Sequence, residues 1–458
     1  MRPTATPIII ALALAWMAAG AGAQVTVEKQ RNGFLVRATD KFDVSPGGDL
    51  KVDDVIGDVT VTGDASGQVE VIQEFFIRAD KESEAREAFE EMRAEVKKLG
   101  NQVNVNGTRD RTGIGMLEPK LHVFFLRNMG ETGGTFTIRV PNNFNADVAT
   151  TGGDVTVTQL KGRAEVETAG GDVEISRVTG VVDANTAGGD IVGRALDGAV
   201  DLSTSGGDVT LIEAKTGPFT VKTSGGDISL QQVTGKVRGT TSGGDIDARN
   251  VQGELDVRTS GGDVLIEEIR GASHRASTSG GDVEARVVTG SVDLRTSGGN
   301  VIADRVQGRV QGHTSGGNME IYAVTGDVDI STSGGDLDLR EIQGSLTGKT
   351  SGGDVRAEVA NGGKLRGPIR LTTSGGEVEL RLPSNVQASV SAVIRVDHPM
   401  LLQEYEIRSD FKLKIEEVEG DGGRRGRHQI RATGDLNGGG PLIELETVNG
   451  DIRIERQN

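Results

Sequence analysis

Thirteen side chains with carboxylate or amide ends recur at one fixed place, directly after a Gly-Gly pair. They are Asp154, Asp172, Asp190, Asp208, Asp227, Asp245, Asp263, Asp282, Asn300, Asn318, Asp336, Asp354 and Glu377. Such a column has two chemical readings. As a metal device it would need six to eight oxygens per calcium ion, drawn from both turns of each repeat. The other turn here is typically Val-Thr-Gly or Val-Gln-Gly, and Asn300, Asn318 and Glu377 interrupt the aspartates without disturbing the phase. As a corner device, each side chain would accept backbone hydrogen bonds, which Asn does as well as Asp. The second reading fits the substitutions, so no cofactor is expected, with calcium the one ion the column could attract. The five histidines, His122, His274, His313, His398 and His428, are scattered without metal-ligand spacing or an evident acid partner, and cysteine is absent. Enzymes that cleave polysaccharides on stacked strands need a groove with converging acid and base groups. Nothing in the spacing assembles one, so the chain is expected not to be an enzyme, and no catalytic, cofactor-binding or metal residue is assigned.

The elements that carry this column follow from its period. The step is eighteen residues, nineteen twice and twenty-three once. After each acidic residue, apolar side chains fall one, three and six places on, as in Val155, Val157 and Leu160. After a central glycine they fall two and four places on, as in Ala164 and Val166. Period-two alternation predicts two short strands per repeat with one face turned inward. Thr168, Thr186, Thr204 and their successors share that face, which predicts an interior stack of threonines bonded to one another or to the adjoining turn. A fixed period of this size marks a stack in which each unit buries its apolar face only against its neighbours. The expected fold is all-β: a single-chain parallel β-solenoid with eighteen-residue, two-strand rungs, right-handed by the usual crossover rule. Rungs stacked at ~4.8 Å would form a rod of roughly 60 Å. The Gly-Gly pair and the central glycine are expected to supply positive φ at the two corners.

Composition sets limits. The chain has 458 residues with 68 glycines and 3% aromatic residues, which a thin repetitive core explains better than one large globular core. A net charge of −17 argues against nucleic acid as a partner. Residues 1–23 read as a signal peptide: Arg2, an apolar run from Ile8 to Ala19, and Ala21-Gly22-Ala23 as the cleavage site. An uncleaved N-terminal anchor is the alternative. No later stretch is long and apolar enough to span a membrane.

Residues 24–148 read as an N-terminal β segment that caps the stack. In it Gly47-Gly48-Asp49, Leu50, Val52 and Val55, then Gly57, Val59 and Val61, match the repeat in that order, as a first rung. A helix is predicted over residues 81–99, with Ala85, Phe89, Met92, Val96 and Leu99 on one stripe and Asp80 and Gly100 as caps. Its stripe would pack on the solenoid or serve a partner. Strands are expected near Val103, over 121–126 and over 135–140, with a polar loop over 107–115. The regular repeats occupy 149–382, with an insertion at 360–364. Residues 383–458 form a C-terminal β cap, with strands over 386–396 and 405–418, a Gly/Arg turn over 420–426, and a last rung at Ile443, Leu445, Thr447, Ile452 and Ile454.

The run of Ser/Thr-Gly-Gly-Asp-Val repeats, the lead-in FTIRVPNNFNADVATTGGD from Phe136 to Asp154, and GGGPLIELETVNGDIRI from Gly438 to Ile454 resemble a bacterial family of unknown function labelled "putative adhesin". The resemblance covers nearly the whole mature chain. It implies an exported β-helical protein without known catalytic residues. The chain departs from the family in the predicted helix and in the length and regularity of its repeats. The expected role is a periplasmic, cell-surface or secreted solenoid that contacts an unidentified envelope, surface or protein partner. A periplasmic scaffold or sensor component is the alternative.

Overall fold

The computed structural model describes residues 23–107, 134–360, 365–396, 402–419 and 428–457. The segment read as a signal peptide, up to residue 22, the 107–115 loop beyond residue 107, the strand expected over 121–126, the 360–364 insertion beyond residue 360 and the Gly/Arg turn expected over 420–426 lie outside them. The chain divides into two units, residues 1–218 and 219–458, each a ladder of parallel rungs with an antiparallel cover.

In the first unit, the strands Val155–Thr158, Val173–Ser176, Ile191–Arg194 and Val209–Ile212 pair in parallel, residue for residue at the repeat spacing. A second column, Phe144–Thr150, Ala164–Thr168, Val182–Thr186 and Val200–Thr204, does the same. The predicted apolar positions are buried throughout, including Val155, Val157, Leu160, Ala164 and Val166. The cover consists of Gln24–Gln30, Gly33–Asp43, Gln68–Ile77 and Gly134–Pro141, paired antiparallel in that order.

The first rung is offset by half a turn from its expected phase. Leu50 and Val52 pair with Ala146 and Val148, the second-strand column, whereas Val59 and Val61 pair with Val155 and Val157. Asp58 therefore heads the acidic column, accepting the Asp154 N–H at 3.0 Å. Asp49 sits at the opposite corner, bonded to the Asn145 side chain. Residues 57–62 repeat Gly153–Thr158 letter for letter. That identity outweighs the Gly-Gly pair at Gly47 and Gly48.

The predicted helix is half helix and half strand. It runs Glu82–Met92 with Lys81 as the N-cap, and the Arg93 N–H closes it on the Phe89 carbonyl. Asp80 is not the cap. Buried Gln73 then takes both backbone groups of Ala94, accepting its N–H at 2.8 Å and donating to its carbonyl at 3.1 Å, so no further helical turn can form. Glu95–Leu99 turns at Gly100 and Asn101 into Gln102–Asn106, a two-residue hairpin in which Gly100 has φ +63°. Leu99 is accordingly exposed. The helix packs on its own unit: Phe75 meets Phe89 edge-on at 5.6 Å and Phe136 at 5.9 Å.

In the second unit many strands run through a corner, such as Ile228–Thr240 and Val283–Arg295, and the ladder continues to Val378–Leu382. The final rung closes it: Ile443 and Leu445 pair with Ile369 and Leu371, and Ile452 and Ile454 with Val378 and Leu380. Ala388–Val396 lies parallel to Leu442–Val448 and antiparallel to His428–Leu436, which Lys414–Glu419 extends. The strand expected over 405–418 is two pieces, Ile407–Ser409 and Lys414–Glu419.

The Gly-Gly pairs of the regular repeats do not have positive φ, unlike Gly47 at +80°. The second glycine of each pair lies against the rung before it, so that a Cβ on Gly335 would collide with the Gly317 carbonyl oxygen. Positive φ belongs to the central glycine in several rungs, such as Gly253 at +139°, and to a row of ordinary residues five places after the acidic position. In the second unit that row includes Glu268, Val287, Arg305, Ala323 and Glu341, with φ between 53° and 56°. Left-handed geometry costs an L-residue roughly 1–2 kcal/mol, more for a β-branched side chain and less for Asn. Val287→Asn is therefore expected to stabilise the second unit by about 1 kcal/mol, read as a rise in its urea midpoint. An unchanged or lower midpoint would mean Val287 is not strained.

Candidate interaction surface

The acidic column is turned to structural use. Asp154 accepts the Asp172 N–H at 2.8 Å, Asp172 that of Asp190, and Asp190 that of Asp208. In the second unit the links run from Asp227 through Asp245, Asp263, Asp282, Asn300, Asn318, Asp336 and Asp354 to Glu377, at 2.6–2.9 Å. Asn300 and Asn318 accept as the aspartates do, which explains why the amide is tolerated. The threonines bond to corners, not to each other. Thr314 donates to the Gly299 carbonyl at 2.8 Å and accepts the Gly317 N–H at 3.3 Å, so one hydroxyl ties two adjacent corners. Among the described residues no group of three or more His, Asp or Glu side chains is placed to hold a metal ion.

The histidines diverge. His122 and His398 lie outside the described residues. His313 is exposed with Nδ1 2.9 Å from the Ser331 hydroxyl, and His428 pairs with Val396 and Glu419 on the cover. His274 is buried, 1% exposed, in a place where adjoining rungs carry Leu255 and Val292.

What faces outward is repetition. Ion pairs line the strands of the second unit: Arg249 with Asp247, Arg295 with Asp293 and Arg340 with Asp338 pair within one strand, and Arg275 reaches Asp293 on the next. Exposed pairs of this kind contribute only about 0–1 kcal/mol each, so their weight falls on what the surface presents more than on stability. The first unit shows a more acidic column, in which Asp147, Glu165, Asp183 and Asp201 stand in register. Burial, and then the Glu165 charge, push the Asp147 carboxyl above its ordinary value.

The second unit also has a groove of about 590 Å³ between its left-handed row and the Val-Thr-Gly or Val-Gln-Gly corners. Val287, Arg305, Ala323 and Glu341 form one wall, and Thr289, Gln307, Thr325 and Gln343 the other. The second wall repeats hydroxyl and amide groups, donors and acceptors at the strand spacing. At the rim, exposed Tyr322 donates to Glu341 at 3.0 Å, and this hydrogen bond to a carboxylate pushes the phenol up. Arg305 pairs with Asp304 at 2.9 Å. The groove combines aliphatic patches with hydroxyl, amide and charged groups, a mixture suited to holding a polar chain by many weak contacts. In the sequence the Thr-Gly and Gln-Gly corners stand out only as poor calcium ligands. Their signal was the Thr or Gln immediately before the central glycine in successive repeats.

No helix among the described residues is long and apolar enough to cross a membrane. A sequence profile of the family described as Toastrack DUF4097, a domain of unknown function, matches residues 64–305 and 273–395. None of the curated proteins compared matches the chain. Among solved structures, it is similar to a "putative adhesin" of Bacteroides fragilis at 13% identity and TM-score 0.28, covering 60% of this chain and 96% of that one. It is also similar to a "putative cell adhesion protein" of Clostridium sporogenes at 9% identity and TM-score 0.16, covering 92% and 100%. A third likeness is to a "putative lipid binding protein" of Parabacteroides distasonis, at 9% identity and TM-score 0.24, covering 64% and 96%.

Proposed function

The chain belongs to the Toastrack family, and from that membership and its outward surface we propose that it is a non-catalytic, exported β-solenoid acting by contact, as an adhesin or cell-envelope interaction protein. The observation that carries this reading is the fate of the reactive groups. The corner acids and threonines accept and donate to the backbone of neighbouring rungs, and His274 faces the interior. What remains for a partner is a long, regular surface of paired charges and the polar groove, the kind of surface that binds through many equivalent contacts. Export rests on Arg2, the apolar run and Ala21-Gly22-Ala23.

Localisation and binding test it together. Antibody against the purified mature chain is expected to label intact cells, and the purified protein is expected to sediment with isolated envelopes. Groove substitution, Arg305→Ala with Gln307→Ala and Gln343→Ala, is expected to weaken that sedimentation severalfold. Labelling only after permeabilisation would favour a periplasmic scaffold. Cytoplasmic retention with no envelope binding would sink both forms of the proposal.

A further inference from the structure

The two nineteen-residue steps have something in common beyond length. Each brings a ring into the interior at the first inward place of its second strand: Phe219 in the step from Asp208 and His274 in the step from Asp263. Around His274 the pairing with the next strand slips between Arg270 and Ser273. Gly271 lies close to the ring, where a Cβ would stand 2.8 Å from its Cε1 atom. The enlarged corner thus accommodates a ring, and Phe219 shows that an apolar ring fills such a corner. An imidazole there is not demanded by packing.

The imidazole is poorly provided for as a cation. Nε2 lies 3.2 Å from the Thr289 carbonyl oxygen, and buried Nδ1 has no hydrogen-bond partner. Leu255 and Val292 flank it on the adjoining strands. Glu254, at the turn before Leu255, is the charged group that acts on it; the Thr289 and Gly271 backbones also favour the protonated ring. Burial outweighs these and holds the ring below the ordinary value of 6.5. A second proton would have to sit on the buried Nδ1, which makes no hydrogen bond in the closed form, the Gly271 backbone acting on the ring without closing one.

We propose that His274 is an acid-operated release in the solenoid interior: when its ring takes up a proton, Val264–Ser277 and Val283–Arg295 part locally while other rungs stay closed. The direction follows from linkage. The opened segment binds the proton at about 6.5 and the closed one only at lower pH, so closure is complete above 6.5 and weakens as pH falls towards the closed-state value. Within that window the closed-to-open ratio drops about tenfold per pH unit. An exported protein meeting acid would thus loosen at a chosen rung before it unfolds as a whole.

The test is hydrogen exchange of the full chain between pH 7.5 and 5, corrected for intrinsic rates, comparing the native protein with His274→Phe and His274→Leu. Peptides from residues 264–295 of the native protein should lose protection by up to about tenfold per pH unit between 6.5 and the ring's closed-state value, relative to either variant, with peptides from residues 328–359 unaffected. NMR titration of the His274 ring in the native protein provides a reading that requires no variant. Equal acid-induced loss in the native protein and the variants, or a ring that titrates at or above 6.5 in the folded state, would overturn the proposal.

Discussion

Gly335→Ala is expected to destabilise the second unit by about 4 kcal/mol or more, whereas Gly334→Ala, one residue away, should cost about 1 kcal/mol or less. The difference lies in what each new methyl would meet. At Gly335 it runs into the backbone carbonyl of Gly317, which is itself held by the Thr332 hydroxyl. The neighbouring rung cannot retreat without breaking the ladder bonds on both sides. At Gly334 the nearest atom is the Gly316 carbonyl oxygen at 3.3 Å, a contact that a small adjustment relieves. Neither glycine has the positive φ that would penalise alanine by itself. Urea unfolding of the two variants side by side measures the contrast. Equal effects would mean that the pair is conserved in the repeat for chain flexibility and not for close approach.

Phe89→Ala should destabilise the first unit by about 3–5 kcal/mol. Phe89 is fully buried and is the only aromatic anchor by which Glu82–Met92 holds the cover, through its edge-on contact with Phe75. Phe75 in turn meets Phe136, whose strand pairs with the first rung at Gly57–Asp64. A cavity at Phe89 thus loosens a chain of contacts leading from helix to ladder. Loss of protection should appear first in the helix amides, then in Gln68–Ile77. If the variant melts like the native protein, the helix is an appendage and its stripe is free for a partner.

The sequence made the architecture legible because the same physical demand is repeated: an inward apolar triplet, a corner, a second inward pair, a threonine. One rung could be misread, but the column could not. Errors came where a motif is compatible with two environments. Gly-Gly-Asp at residues 47–49 resembles a repeat corner, yet Asp58 takes that role, because register is decided by whole strands lying side by side and not by three letters. The stripe Val96 and Leu99 continues a helical spacing, yet buried Gln73 claims Ala94 and the chain turns into a hairpin at Gly100. That interaction spans 21 residues and leaves no local trace. The groove was hidden for another reason. Its walls mix small, polar and charged side chains without the spacing of a core, and Arg305, at a left-handed position, and Gln307 both line it.

Within each unit the rungs use the same bonds to their neighbours: an acid or amide to the next N–H, a threonine to the preceding glycine carbonyl. Duplicating or deleting eighteen residues between two corners therefore creates no junction the chain does not already contain. Recombination between repeats of one gene could lengthen or shorten the ladder in whole steps while leaving both covers intact. The number of rungs in a unit is then a heritable quantity that can change in a single event, much as a ruler is cut at its marks, without a new fold having to be found.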